Sequence, residues 1–151
     1  MNAMGNYQQF SQRLVGQWRE ESVPLHPGAT EAEFYVLEKV LGHRLPEAFR
    51  YLYSLANGMV DMEADRYFFS LWPLIRICQA LEANESNRAV VSDKPRIAFG
   101  DCLIDSHRYL LTFADQAAYI STDIEPNKKL ADSFEDFVKL YLAEPKKLYF
   151  D

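Results

Sequence analysis

The apolar residues of this chain keep two different periods, and the change between them constrains the fold more than any other feature. Phe10, Leu14 and Trp18 recur every four residues. Phe34, Leu37, Val40 and Leu41 follow at intervals of three and four, as do Phe49, Leu52, Tyr53 and Ala56. Each set lines one face of an α-helix. Beyond residue 95 the period falls to two. Ile97 and Phe99 alternate with Arg96 and Ala98, Tyr109, Leu111 and Phe113 share one face of a second run, and Ala117 to Ser121 forms a third around Tyr119. Alternation of this kind marks strands, because successive side chains of a strand point to opposite faces. The short links Gly100-Asp101 and Ala114-Asp115-Gln116 suit tight connections, so these strands form an antiparallel meander. Phe134, Phe137, Val138 and Tyr141 then restore the helical period. The expectation is an α+β fold, with helices packed on a twisted, mainly antiparallel sheet.

Punctuation residues agree with the periods. The first helix runs from Tyr7 to Glu21, after a frayed start at Met1 to Gly5, and ends in a connector holding Pro24, Pro27 and Gly28. Thr30 caps the second helix, with Glu31 and Glu33 in its first turn, where the helix dipole favours negative charge. Gly42 stops that helix and Leu45-Pro46 starts the third, which Asn57-Gly58 ends. Val60 to Arg66 reads as an acidic loop, Tyr67 to Trp72 as a strand, and Pro73 opens a fourth helix to about Asn84. Glu85 to Pro95 is polar and loop-like. Ser133 caps the last helix, Pro145 ends it, and Leu148, Tyr149 and Phe150 give the tail an apolar surface with which to dock.

Length and composition limit what the fold can do. The 151 residues suffice for one domain with a real core, supplied by ten Phe, nine Tyr and two Trp. The formal charge of −6 argues against nucleic acid as a partner, since binding a phosphate backbone needs a positive surface, and it favours basic proteins instead. No stretch is apolar enough for a membrane span. Cys78 and Cys102 are isolated among apolar neighbours and read as buried free thiols. With no apolar leader visible, the expected location is cytoplasmic.

The residues that catalysis requires are not arranged for it. His26, His43 and His107 show no zinc-ligand spacing, and no phosphate-binding glycine loop or nucleophile elbow occurs. Asp101, Asp105, Ser106 and His107 form the richest polar cluster, which reads as a solvated turn between strands. The expectation is a protein that is not an enzyme and uses no metal or cofactor. A binding surface has better candidates. Asp61, Glu63 and Asp65 alternate, so an extended loop would present them on one side. Glu82 and Glu85 would extend that patch if the fourth helix lies beside the loop. Tyr67 and Trp72 would supply its aromatic centre if exposed, or belong to the core.

Three motifs resemble those of a known family. Leu45-Pro46-Glu47-Ala48-Phe49 with Tyr53 and Asn57-Gly58 resembles the first signature of the SUKH superfamily, the Smi/Knr-type domain. Arg96-Ile97-Ala98-Phe99-Gly100-Asp101, leading to Tyr109 to Phe113, is similar to the family's central strands. Ala131 to Val138, a serine-capped helix start with two phenylalanines, is similar to its C-terminal signature. The set spans about residues 30 to 143 of a single domain, with the N-terminal helix outside it. Two departures stand out: Met59-Val60 follows Asn57-Gly58 where the family often has a second glycine, and Asp101 to Ser106 lacks the usual glycine-rich turn. The resemblance implies a mixed sheet covered by helices. It implies function through protein binding, as in bacterial immunity proteins that neutralise a toxin, often a nuclease, with a regulatory or scaffold role as the alternative. The partner it implies is a basic toxin domain.

Overall fold

A computed structural model describes residues 6–83, 94–114, 117–125 and 127–150 of the chain. Met1 to Gly5 and most of the polar segment from Glu85 lie outside those residues. Three helices come first: α1 (Asn6–Glu20), α2 (Glu31–Leu41) and α3 (Glu47–Leu55). Strand β1 (Phe69–Leu71) and helix α4 (Leu74–Glu82) follow. Strands β2 (Arg96–Cys102), β3 (His107–Phe113) and β4 (Ala118–Thr122) lead to α5 (Phe134–Ala143) and a final turn, α6 (Lys147–Phe150). The sheet order is β1-β2-β3-β4, and every pairing is antiparallel. The mixed sheet implied by the resemblance is therefore replaced, among the described residues, by a sheet whose strands follow chain order.

The helix ends form as their capping chemistry requires. Thr30 Oγ1 accepts from Glu33 N while Glu33 Oε1 accepts from Thr30 N, a reciprocal capping box. Gly42 closes α2 in the left-handed region, at φ 78°. Ser133 caps α5 by accepting from Asp136 N.

Aromatic rings fill the space between the helices and the sheet. Phe99 of β2 meets Phe134 and Phe137 of α5, each with ring centroids 5.4 Å apart. Phe49 of α3 lies edge-on to Phe134 at 5.1 Å. Phe69 of β1 is stacked with Trp18 of α1 at 6.2 Å and edge-on to Tyr141 at 5.2 Å. Such pairs add about 0.5–1.5 kcal/mol each beyond the area they bury. The C-terminal tail docks, since Leu148 is buried and its carbonyl accepts from Tyr109 Oη at 3.0 Å. At the outer edge of β4, Ile120 N donates to Ala131 O and Leu130 N donates to Ile120 O.

Asn57-Gly58 does more than end a helix. Asn57 Nδ2 donates to Glu33 Oε2 of α2, and Asn57 Oδ1 accepts from Leu74 N at the start of α4. One side chain thus ties α2, α3 and α4 together. Gly58 has φ 78°, and a Cβ there would lie 2.4 Å from Pro73 N and 2.6 Å from Trp72 C. Both atoms are backbone and cannot swing aside. We expect Gly58→Ala to destabilise the domain by about 3 kcal/mol or more, through left-handed strain and backbone overlap together. Gly16 inside α1 has nothing within 4 Å of its missing Cβ, so Gly16→Ala should stabilise by about 0.5–1 kcal/mol. Chemical denaturation of the two variants measures the contrast.

Candidate protein-interaction site

Five residues between Met62 and Asp105 hold positive φ without being glycine: Met62 (69°), Phe68 (64°), Leu103 (55°), Ile104 (56°) and Asp105 (61°). A side chain in this region costs roughly 1–2 kcal/mol per residue, because Cβ crowds the following carbonyl. The five gather at one place. Leu103 N donates to Phe68 O, joining the β2–β3 turn to the segment before β1. Met62, Phe68 and Ile104 line a shared cavity of about 60 Å³ with Glu63, Ser70, Arg76, Asp101 and Asp105. Met62 is 80% exposed and Ile104 82%, and Phe68 and Leu103 are exposed as well. Large apolar side chains held in water on strained backbone are unusual, and strain of this kind concentrates at functional sites.

A partly buried ion network lies beneath the turn, with Asp101 and Arg108 inside and Asp105 and Arg76 at its rim. Asp101 Oδ2 accepts from Trp72 Nε1 at 2.6 Å, and its Oδ1 accepts from Asp105 N. Arg108 holds Asp105 through Nε at 2.8 Å and Nη2 at 3.1 Å, a two-point grip on the carboxylate. The guanidinium groups of Arg76 and Arg108 lie 3.9 and 4.9 Å from the Trp72 ring centroid. These contacts fix Leu103–Asp105 in their left-handed turn. Exposed apolar groups on a rigid frame bind with little loss of conformational entropy.

The expected contact residues fall in different places. Glu63 lines the cavity, and Asp61 is exposed and precedes the cavity residue Met62 in the chain. Asp65 does not join them, which corrects the expected extended acidic row. The segment folds through a turn in which Glu63 N donates to Val60 O, so the strand alternation never develops. Asp65 is buried instead, accepting from Trp18 Nε1, Tyr67 N and Phe69 N. Burial raises its pKa above the ordinary value, against those three hydrogen bonds, which lower it. Tyr67 turns towards the core and lies edge-on to Tyr141 at 6.2 Å. Trp72 is buried and so cannot be an exposed aromatic anchor; it supports the site from below. Glu82 is exposed at the far end of α4, about 9 Å along the axis from Arg76 at the helical rise of 1.5 Å per residue, so it is separate from the cavity. Glu85 lies outside the described residues.

Met62, Phe68, Ile104 and Arg76 escaped the sequence reading. A signal was nevertheless present: the turn from Asp101 to Ser106 has no glycine, so reversing the chain there puts ordinary side chains at positive φ.

The polar cluster near this turn is also not the solvated loop expected. Asp101 and His107 are buried. Burial lowers the His107 pKa below its ordinary 6.5, opposed by the carboxylates of Asp123 and Asp101 and by a backbone hydrogen bond with Leu148. No group of three His, Cys, Asp or Glu side chains among the described residues could hold a metal ion. Cys78 and Cys102 are buried free thiols, and burial pushes Cys102 up to about 11, so neither is poised as a nucleophile. No helix among the described residues is long and apolar enough to cross a membrane.

Two stability predictions follow from this geometry. Ile104→Gly relieves positive φ while removing few contacts, and should raise stability by about 1 kcal/mol in denaturant titrations. His107 is held neutral, so as pH falls below 6.5 the unfolded chain binds a proton that the folded one resists. Stability should drop over that range until folded His107 also protonates, and His107→Gln should lose less between pH 7 and pH 5 by the same titration.

The family model of the SMI1 / KNR4 family (SUKH-1) matches residues 28–140. No curated protein matches the chain at a significant level.

Proposed function

Since this chain belongs to the SMI1 / KNR4 family (SUKH-1), we propose that it acts by binding another protein, as an immunity-type domain that neutralises a toxin by direct contact. The observation that supports this most is the set of exposed apolar side chains, Met62, Phe68 and Ile104, held on strained backbone around one cavity. Interface energy concentrates in a few apolar or arginine anchors that become dry on binding. Ile104 and Phe68 are such anchors, and Arg76, stacked on Trp72, is a guanidinium already held in place. Asp61 and Glu63, on either side of Met62 in the chain, favour a basic partner and would speed its approach without adding much affinity. The strain fits this role, because a turn selected for stability alone would carry glycine.

The test is co-expression with a panel of basic toxin domains, the partner class that this reading predicts. The expected result is protection of growth and a one-to-one complex on size exclusion. Ile104→Asp and Phe68→Asp should each weaken binding about tenfold or more while leaving the circular dichroism spectrum unchanged. Ile104→Gly should also weaken binding although it stabilises the fold. Binding that survives all three substitutions would place the interface elsewhere. A housekeeping complex, with no effect on toxicity, would favour the regulatory or scaffold role.

A further inference from the structure

The sheet face turned away from α5 carries a buried charge with no answering group. Ile97, Leu111 and Ile120 stand opposite one another across β2, β3 and β4, on the face of Tyr109, whose ring meets Phe137 of α5 at 5.6 Å. Their neighbours in each strand point the other way. There Arg96 stands opposite Thr112, and Thr112 opposite Tyr119. The next row on that face is Ala98, Leu110 and Ser121. Arg96 exposes only 2% of its surface, and Thr112 and Ser121 expose none. Nε and Nη1 of Arg96, Oγ1 of Thr112 and Oγ of Ser121 are all buried without a hydrogen-bond partner. Arg96 makes no ion pair among the described residues.

This charge cannot be removed by titration, because a guanidinium keeps its proton at any pH at which a protein stays folded. An unpaired buried charge is among the largest costs a fold can carry. We infer that this face holds a small tetrahedral oxyanion of the phosphate or sulfate class, gripped by Arg96 and by the hydroxyls of Thr112 and Ser121. Arg96 and Thr112 are direct cross-strand neighbours, with Cβ atoms about 4.5–5.5 Å apart, and Ser121 lies on the diagonal from Thr112 at about 7–8 Å. Donors spread over three strands approach an anion from different directions, which four tetrahedral oxygens accommodate better than a planar carboxylate. A second cation stands at the far side of the row, where Lys129 Nζ lies 5.2 Å from the centroid of the Tyr119 ring. The small opening at Arg96 favours a free anion over a phosphorylated macromolecule. Arg96 and the strained turn lie at opposite ends of β2, about 20 Å apart at the rise of a strand. The anion therefore acts as a structural ligand and leaves the exposed apolar groups free.

Thermal unfolding of the full chain in inorganic phosphate, at ionic strength held constant with chloride, tests this. The midpoint should rise by about 5 °C between about 0.1 and about 20 mM phosphate. Equilibrium dialysis should find one phosphate per chain, displaced by sulfate and not by acetate. Arg96→Met puts an apolar chain of similar length in place of the charge. It should raise the midpoint without phosphate and abolish the response to it. Thr112→Val and Ser121→Ala each remove one hydroxyl without adding bulk, and each should weaken phosphate binding about tenfold with the fold retained. These two variants decide the matter even if Arg96→Met does not fold. An equal rise in Arg96→Met would mean only the general stabilisation that phosphate gives any protein. A loss of stability in Arg96→Met without phosphate would mean that the chain itself answers the charge. Either result would overturn the inference, as would a wild-type midpoint indifferent to phosphate or binding untouched by both hydroxyl removals.

Discussion

Trp72 is the side chain on which most of this structure depends. It stands where β1 ends and α4 begins, and it is bound on every side. Its N–H donates to Phe99 O, which carries the sheet pairing one residue past β1. Its carbonyl accepts from Tyr53 Oη at 2.6 Å, tying in α3. Its indole N–H reaches the buried Asp101, and two guanidinium groups lie near its ring. A hydrogen bond to a charged group contributes about 1.5–3 kcal/mol, and a cation on a desolvated ring about 2. One residue therefore links the helical half of the chain to the sheet and anchors the turn that carries the exposed apolar groups.

That arrangement explains how a small domain can keep strained backbone in water. The left-handed residues Leu103, Ile104 and Asp105 rest on a network in which Asp101, Trp72, Arg108 and Asp105 satisfy one another. Polar groups buried this way are costly when broken and rigid when complete. The rigidity carries through to the surface. Helix α4 starts from the same junction, with Arg76 facing the strained turn and Ile75 lining a groove beside Val36 and Leu37 of α2.

Local chemistry made most of the fold legible in the sequence. Thr30 with Glu33, Gly42, Pro46, Asn57-Gly58 and Ser133 mark helix ends by interactions within a few residues, and each element fell where those residues placed it. The alternation at Ile97, Phe99, Tyr109, Leu111 and Phe113 was equally local, but Gly100-Asp101, expected as a link, continues β2 to Cys102 because both residues pair with β1 and β3. The candidate site was less legible because its determinants are long-range. Asp65 turns inward to meet Tyr67 N, Phe69 N and the indole N–H of Trp18, and the last of these lies 47 positions earlier. Trp72 is buried because Arg108 and Asp101 reach it from the hairpin. Met62, Phe68 and Ile104 carry no polar mark of function; what distinguishes them is a backbone conformation their residue types disfavour. The acidic row failed for a similar reason. It assumed an extended loop, and the turn at Val60 to Glu63 replaced that geometry.

The pairing along β4 also limits how this protein can meet others. A free sheet edge offers unpaired N–H and C=O groups, on which a foreign strand can align and extend the sheet. Here the middle of that edge is already taken by the protein's own Leu130 and Ala131, while the opposite edge, β1, is only three residues long. A strand from another chain would find few backbone groups in register at either end. On the proposed reading, recognition would run through side chains and not through an added strand. The same closed edges leave little template for the stacked sheets of an aggregate.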